Sequence, residues 1–245
     1  MRIGLISDIH SNWEALISVH EAMNSDGVES IYCAGDVVGY CADPLACIEW
    51  VQSYCKTDSQ LMCVMGNHDY AVTSGDTLKF NPVAVAAAKW TRGMLRKEHI
   101  MWLSKLPYTL ISNDIFISHG SPINPEEFHY VLSTEDAVEA CKYFEKTLAV
   151  LGHSHKPFFY EQCDANAGFI FENESTINPK CKYLINIGSV GQPRDGDPRA
   201  AYAVYDTDTK LFSIKRVDYD IKRAVEKINQ AGLPQVLSSR LISGY

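Results

Sequence analysis

Five times along this 245-residue chain, a short apolar run ends abruptly in a cluster of glycine, aspartate, asparagine or histidine. Arg2–Ser7 leads into Asp8-Ile9-His10, Ser30–Ala34 into Gly35-Asp36, and Gln60–Met65 into Gly66-Asn67-His68-Asp69. Ile115–Ile117 leads into Ser118-His119-Gly120, and Leu148–Leu151 into Gly152-His153-Ser154-His155. Short β-branched runs bounded in this way read as strands, and the amphipathic stretches between them as helices. Open α/β sheets carry their ligand sites beyond the carboxyl ends of the strands. All five clusters fall at that end.

The remaining elements follow from periodicity and punctuation. Asn12–Asn24 reads as a helix burying Trp13, Leu16, Ile17 and Val19. A second runs from Pro44 to about Cys55, with Pro44 in its first turn and Asp43 as its cap. A helical region covers Pro82 to about Leu106, interrupted near Lys97–His99. Tyr108–Ser112 and Ile115–Ser118 flank Asn113-Asp114, a tight hairpin turn. Thr134–Lys146 is again helical, opened by a Ser133/Thr134 cap. Strands then dominate at Ala149–Gly152, Phe158–Gln162, Gly168–Phe171, Tyr183–Ile187, Ala201–Tyr205 and Leu211–Val217. A final helix from about Asp220 to Gln230 stops at Gly232-Leu233-Pro234. With no repeat, low-complexity segment or linker, residues 1–245 read as one domain. The expected class is α/β: a four-layer α/β/β/α sandwich, two mixed β-sheets face to face with helices outside.

Composition narrows the function classes. A hydrophobic content of 46% and a charged content of 21% suit a soluble globular protein with ample core. No apolar run approaches the roughly 20 residues that a spanning helix requires. Ile3–Ile6 is broken at once by Ser7 and Asp8, so no signal peptide is expected. The eight cysteines include no CxxC pair and are expected to be reduced thiols filling helix and strand faces, which points to the cytoplasm. A formal net charge of −8 argues against a nucleic acid polymer or an anionic membrane as partner. It leaves room for a small phosphorylated substrate, because bound cations make a pocket locally positive.

Each cluster has a plainer explanation when taken alone. Asp8 and His10 would serve as helix caps, although Asn12 is already available, and Gly35-Asp36 is a common turn pair. Asn67 to Asp69 would suit a polar turn, and His119 a satisfied structural position. Together the clusters supply hard oxygen and borderline nitrogen donors, suited to Mn, Fe, Zn, Ni or Co rather than Ca. Seven residues serve two ions only if one carboxylate bridges, and Asp36 is the natural candidate.

In this order, DxH, GD, GNHD, SHG and GHSH resemble the calcineurin-like metallophosphoesterase superfamily, over residues 1 to about 200. The resemblance implies Asp8, His10, Asp36 and His155 around one divalent metal ion, and Asp36, Asn67, His119 and His153 around another. It leaves His68 as the catalytic histidine facing the leaving group, with Asp69 orienting it. A metal-bridging hydroxide is then the nucleophile. The chain is similar to the small bacterial and archaeal phosphodiesterase-like branch. Protein serine/threonine phosphatases and symmetrical diadenosine tetraphosphatases carry GDxxDRG, whereas this chain reads Gly35-Asp36-Val37-Val38-Gly39-Tyr40, without the arginine. Those activities are the alternative, together with a non-catalytic scaffold of the same fold. The loop Asn186–Arg199 offers Arg194 and Arg199 as substrate-binding replacements for the missing clamp, or is simply a tight crossover. Tyr40, His129 and Tyr130 are weaker rim candidates. The expected partner is a small phosphoester substrate, with a homodimer left open.

Overall fold

The computed structural model describes residues 1–56, 62–163, 166–170 and 172–245. Its strands and helices alternate through the first half: β1 (Arg2–Ile6), α1 (Trp13–Ser25), β2 (Ser30–Cys33), α2 (Pro44–Tyr54), α3 (Asn67–Ser74), α4 (Pro82–Met94) and α5 (Lys97–Leu103). Then come β3 (Thr109–Ser112), β4 (Ile115–Ser118), α6 (Thr134–Ala140), β5 (Leu148–Leu151), β6 (Phe158–Cys163) and β7 (Asn166–Ile170). The chain closes with β8 (Glu174–Thr176), β9 (Lys182–Asn186), β10 (Ala200–Asp206), β11 (Leu211–Val217), α7 (Ile221–Gln230) and α8 (Gln235–Ser243).

Two mixed sheets result. One has the order β2-β1-β10-β11-β8 and the other β3-β4-β5-β9-β6-β7. Parallel pairing joins β1 to β2 and β4 to β5 to β9, and the other strand pairs described are antiparallel. Alternation along each strand assigns the layers. Ile3 and Leu5 of β1 meet Leu148 and Val150 of β5, Ile185 of β9 and Phe212 of β11 in a core between the sheets. On the far side of the first sheet, Ile6 packs with Leu16, Val19 and Met23 of α1 and Ile48 of α2. On the far side of the second, Ala149 and Leu151 pack with Ala137 and Ala140 of α6. The order helix, sheet, sheet, helix is therefore set by three stacked apolar layers.

Several expected boundaries move, for identifiable reasons. The helix expected to reach Lys146 ends at Ala140, where Lys182 of β9 donates to Cys141 O and Phe144 O at 2.7 Å each and turns the chain toward β5. The break expected near Lys97–His99 falls at Leu95-Arg96, both extended, so that Lys97 opens α5 instead. Asp43 stands at the N-cap of α2 without capping it, because its carboxylate accepts from Lys227 Nζ of α7 at 2.8 Å. The helix expected to be last stops near Gly232 as anticipated, but Pro234 starts α8. Asn113 and Asp114 both take φ near +50 to +60° (47° and 62°), the hairpin geometry that Asn-Asp tolerates. Within the expected strand Gln60–Met65, Gln60 and Leu61 lie outside the described residues, as does Phe171 of the expected Gly168–Phe171 strand. Cys63 forms a parallel bridge with Cys33, which sets this segment beside β2.

Six cysteines are free and buried, and burial pushes thiols such as Cys47 and Cys63 well above their usual range. Cys163 and Cys181 form a disulfide, which corrects the expectation that all eight are reduced. They face each other across the β6–β9 pair, one step beyond the partners Gln162 and Lys182. Among the described residues no helix is long and apolar enough to cross a membrane.

The inter-sheet layer is expected to dominate stability. Ile185, with 0% exposure, belongs to the cluster there that joins side chains of both sheets. Ile185→Ala should lower the unfolding free energy by about 2–5 kcal/mol. The check is a urea titration in which the midpoint falls while the slope stays constant.

Candidate metal centre

The loops after β1 and β2 are laced by backbone hydrogen bonds: Asp8 N to Gly35 O, His10 N to Asp36 O and Ser11 N to Val37 O, at 3.0–3.1 Å. The second sheet is drawn in likewise. Gly152 N donates to His119 O at 3.0 Å, and Val190 N and Gly191 N donate to Ser7 O and Asp8 O. To turn this tightly, Asp8, His10, Ser11, Asp36, Tyr40, His153 and His155 all adopt φ between +47° and +67°. Left-handed backbone at non-glycine residues is strained, and it collects at functional sites.

Both carboxylates are held at one oxygen and aimed with the other. Asp8 Oδ2 accepts from Ser7 Oγ at 2.7 Å and His153 N at 2.9 Å. Its Oδ1 is buried with no hydrogen-bond partner and lies 3.2 Å from His155 Nε2. Asp36 Oδ1 accepts from His68 N at 2.8 Å. Its Oδ2 lies 3.3 Å from His119 Nε2 and 3.6 Å from His10 Nε2. Burial opposes ionisation of Asp8, yet His155 first, with His10 and His119, holds the carboxyl well below the usual range. Burial likewise opposes ionisation of Asp36, and His119 and His68 lead the groups that depress its pKa.

The histidines are oriented by backbone carbonyls. His10 Nδ1 faces Val38 O at 3.2 Å, His119 Nδ1 faces Ala34 O at 2.8 Å, and His155 Nδ1 faces Gln192 O at 2.5 Å. With Nδ1 of each ring engaged in this way, its Nε2 points inward as the candidate ligand atom. His10 Nε2 and His155 Nε2 stand 3.0 Å apart with Asp8 Oδ1 beside them. Electron pairs crowded so closely, with an orphaned carboxylate oxygen, fit a cation. Asp8-His10-His155 and Asp8-Asp36-His119 form two such close groups, and Asn67 Oδ1 lies 3.1 Å from His119 Nε2. His153 stacks on Tyr130 with centroids 3.9 Å apart, next to His119, but joins none of the close groups found among the described residues.

His68 and Asp69 sit in the first turn of α3, an element that the polar GNHD cluster did not announce. Asp69 does not orient His68, contrary to expectation. Its carboxylate accepts from Gly66 N, Val37 N and Val38 N at 3.1–3.3 Å and so fastens the β2 loop to the start of α3. His68 is positioned by rings instead: Tyr40 at 4.4 Å, Phe80 at 4.6 Å and His10 at 4.9 Å between centroids. Burial pushes its pKa well down, so its imidazole is neutral. His68 also forms a close group with His10 and Asp36.

A cavity of about 520 Å³ opens onto the centre. Asp36, Asn67 and His68 line its inner end, and Tyr40, Tyr130 and Arg194 line its sides. Arg199 is absent from the lining described and is bound to Asp197 at 2.7 Å on the surface, so the clamp role expected of it is withdrawn. His129 pairs with Glu127 at 3.0 Å. Arg240 and Tyr245, from the C-terminal end, also line the cavity. No motif marks them, and nothing in their spacing would have singled them out.

Residues 1–210 match the calcineurin-like phosphoesterase superfamily domain, and the chain belongs to that family. An uncharacterized protein of Methanocaldococcus jannaschii is 38% identical over 247 residues, covering 99% of this chain and 98% of its own length. A metallophosphoesterase from Sphaerobacter thermophilus is 36% identical, with a TM-score of 0.85 over 100% of this chain and 99% of its own. A hypothetical protein of Pyrococcus horikoshii shares the fold, at a TM-score of 0.81 and 22% identity, over 100% and 98% of the two chains. The protein is thus a metal-dependent phosphoester hydrolase, of a family that generally uses divalent metals.

Gly152 packs against the anchored side of Asp8, where a Cβ would overlap Ser7 Oγ and Asp8 Oδ2. Gly152→Ala should lower divalent-metal affinity by about 10-fold or more, the scale on which disturbed ligand support acts. Calorimetric metal titration measures this, with an unchanged circular dichroism spectrum showing that the fold persists.

Proposed function

We propose that this protein hydrolyses phosphodiesters of small, nucleotide-like molecules using two divalent transition-metal ions. The observation that carries the reading is the pair of half-anchored carboxylates, each with one oxygen turned toward histidines from both sheets. Asp36, whose Oδ2 lies between His10 and His119, would be the ligand shared by the two ions. One ion is assigned to Asp8, His10, Asp36 and His155, the other to Asp36, Asn67, His119 and His153. The donor set suits Mn, Fe, Zn, Ni or Co. Such ions supply charge neutralisation at phosphorus and a water of lowered pKa.

The chain's own residues supply the rest. Asn67 orients a phosphoryl oxygen. His68, neutral and boxed by Tyr40 and Phe80, donates a hydrogen bond to the departing oxygen. Arg194 gives the substrate a guanidinium contact from the cavity wall. Without a GDxxDRG arginine at the centre, the site favours a singly charged diester over a monoester dianion. All 245 residues act as one domain on a small substrate, with neither a nucleic acid polymer nor a membrane as partner. A cytoplasmic location rests on six buried free thiols, and the Cys163–Cys181 link weighs against it.

The test is metal content with a substrate panel. Purified protein should hold close to two transition-metal equivalents per chain, and chelation should abolish turnover. kcat/KM should be higher for bis-nitrophenyl phosphate than for nitrophenyl phosphate or a phosphopeptide. Full turnover in metal-free protein, or a clear preference for the phosphopeptide, would sink the reading.

His68→Ala should lower kcat by roughly 10²-fold with metal content unchanged. The loss should shrink for nitrophenol leaving groups, which depart readily as anions. An equal loss for all leaving groups would assign His68 a positioning role instead.

A further inference from the structure

The chain beyond residue 210, outside the family match, returns to the cavity over the metal centre. α8 packs Leu237 and Leu241 against Ala84 and Ala87 of α4 and Ile228 of α7. Its C-terminal end is joined to the loop that carries Arg194. Gly196 N donates to Gly244 O at 2.9 Å, and Gly244 lies so close to Asp197 and Pro198 that a Cβ would press on their backbone. This joint brings Arg194, from the loop, and Arg240, from α8, into the lining of one cavity. Arg194 lies over the Tyr40 ring, Cζ 5.6 Å from its centroid.

These two guanidiniums differ from their neighbours in sequence. Arg199, Arg216 and Arg223 each pair with a carboxylate: Asp197, Asp195 and Glu226. The Arg194 guanidinium pairs with no carboxylate: it donates to the amide oxygen Gln192 Oε1 at 3.2 Å, and its Nε is buried without a partner. Arg240 makes no ion pair among the described residues. The acidic residues of the same lining are engaged elsewhere or exposed: Asp36 belongs to the metal centre, Glu127 pairs with His129, Asp76 accepts from Leu78 N at 3.0 Å, and Glu126 is exposed beside Glu127. Two uncommitted guanidiniums in a partly desolvated wall fit an anion that accepts from both, through charge-assisted hydrogen bonds. The phosphoryl group being cleaved belongs at the inner end, beside Asn67 and His68, so this anion is a different one.

We infer that Arg194 and Arg240 form a subsite for a second phosphate, so that preferred substrates are phosphodiesters carrying a further phosphate monoester away from the scissile bond. The inference rests on the phosphodiesterase reading of the same centre. Thymidine 5′-(4-nitrophenyl phosphate) and its 3′-phosphorylated derivative test it, because they share one scissile bond and one leaving group and differ only in the second phosphate.

With metal-loaded full-length enzyme, kcat/KM should favour the 3′-phosphorylated compound by about 10-fold or more, the scale of one charged hydrogen bond. Arg240→Ala should reduce that ratio to about 2-fold or less, and Arg240→Lys should restore part of it. Calorimetric affinities of both compounds for the wild type and each variant should follow the same ratios without requiring turnover. Equal kcat/KM and equal affinity for the two compounds, or a preference undiminished in Arg240→Ala, would overturn the subsite. Failure to cleave either compound would overturn the phosphodiesterase reading instead, and the affinity ratio would still decide the subsite.

Discussion

Backbone hydrogen bonds between loops hold the centre in place, and the side-chain chemistry depends on them. Asp8 N on Gly35 O and His10 N on Asp36 O bind the first two loops to each other. Asp69 extends the lacing by accepting three backbone N–H groups from the β2 loop and the start of α3. Only because these loops are fixed can each carboxylate spend one oxygen on a backbone donor and leave the other facing inward. A preorganised donor set needs such support, since ligands displaced by about an ångström lose much of their effect. Asp69, though next to a histidine of the centre, therefore serves geometry rather than chemistry.

The cost of this arrangement is visible in the backbone. Seven residues around the centre sit in the left-handed region, where each non-glycine residue is strained by about 1 kcal/mol or more. The three apolar layers of the sandwich carry that strain. Buried acids and imidazoles pull one another's pKa values apart in the same region. Asp8 and Asp36 are depressed, His153 is lowered by burial to about 3, and Asp36 overrides burial to raise His119 to about 10. A cation meeting His119 Nε2 displaces a proton, so metal affinity is coupled to pH.

The metal-ligand candidates were legible because each polar cluster interrupts an apolar run, and a period-2 strand has no reason to end in Asp-x-His or His-x-His. The two-sheet architecture followed from the same alternation. Other features left no such trace. The GNHD cluster begins α3, and its polar residues hide the helical period. Asp43 looks like a cap by spacing, but the cation that claims it, Lys227, is far along the chain. The Cys163–Cys181 pairing depends on the β6–β9 register, which only the folded sheet defines. Arg240 reaches the cavity through the packing of α8, a helix that follows the one expected to be last.

The candidate ligands come from both halves of the sandwich. Asp8, His10, Asp36 and Asn67 follow the first sheet and its bridged neighbour, whereas His119, His153 and His155 follow β4 and β5 of the second. His153 N on Asp8 Oδ2 and His119 Nδ1 on Ala34 O already span the seam at that edge. An ion held by ligands from both sets would act as a clasp at one end of two sliding plates. Shear between the sheets would pull ligands off the ion before it opened the apolar layer beneath. At this edge of the molecule resistance to such shear would come from coordination, whereas near the β3–β4 hairpin the sheets are joined by packing and by the Tyr32 hydroxyl, which meets Ser112 Oγ at 3.1 Å.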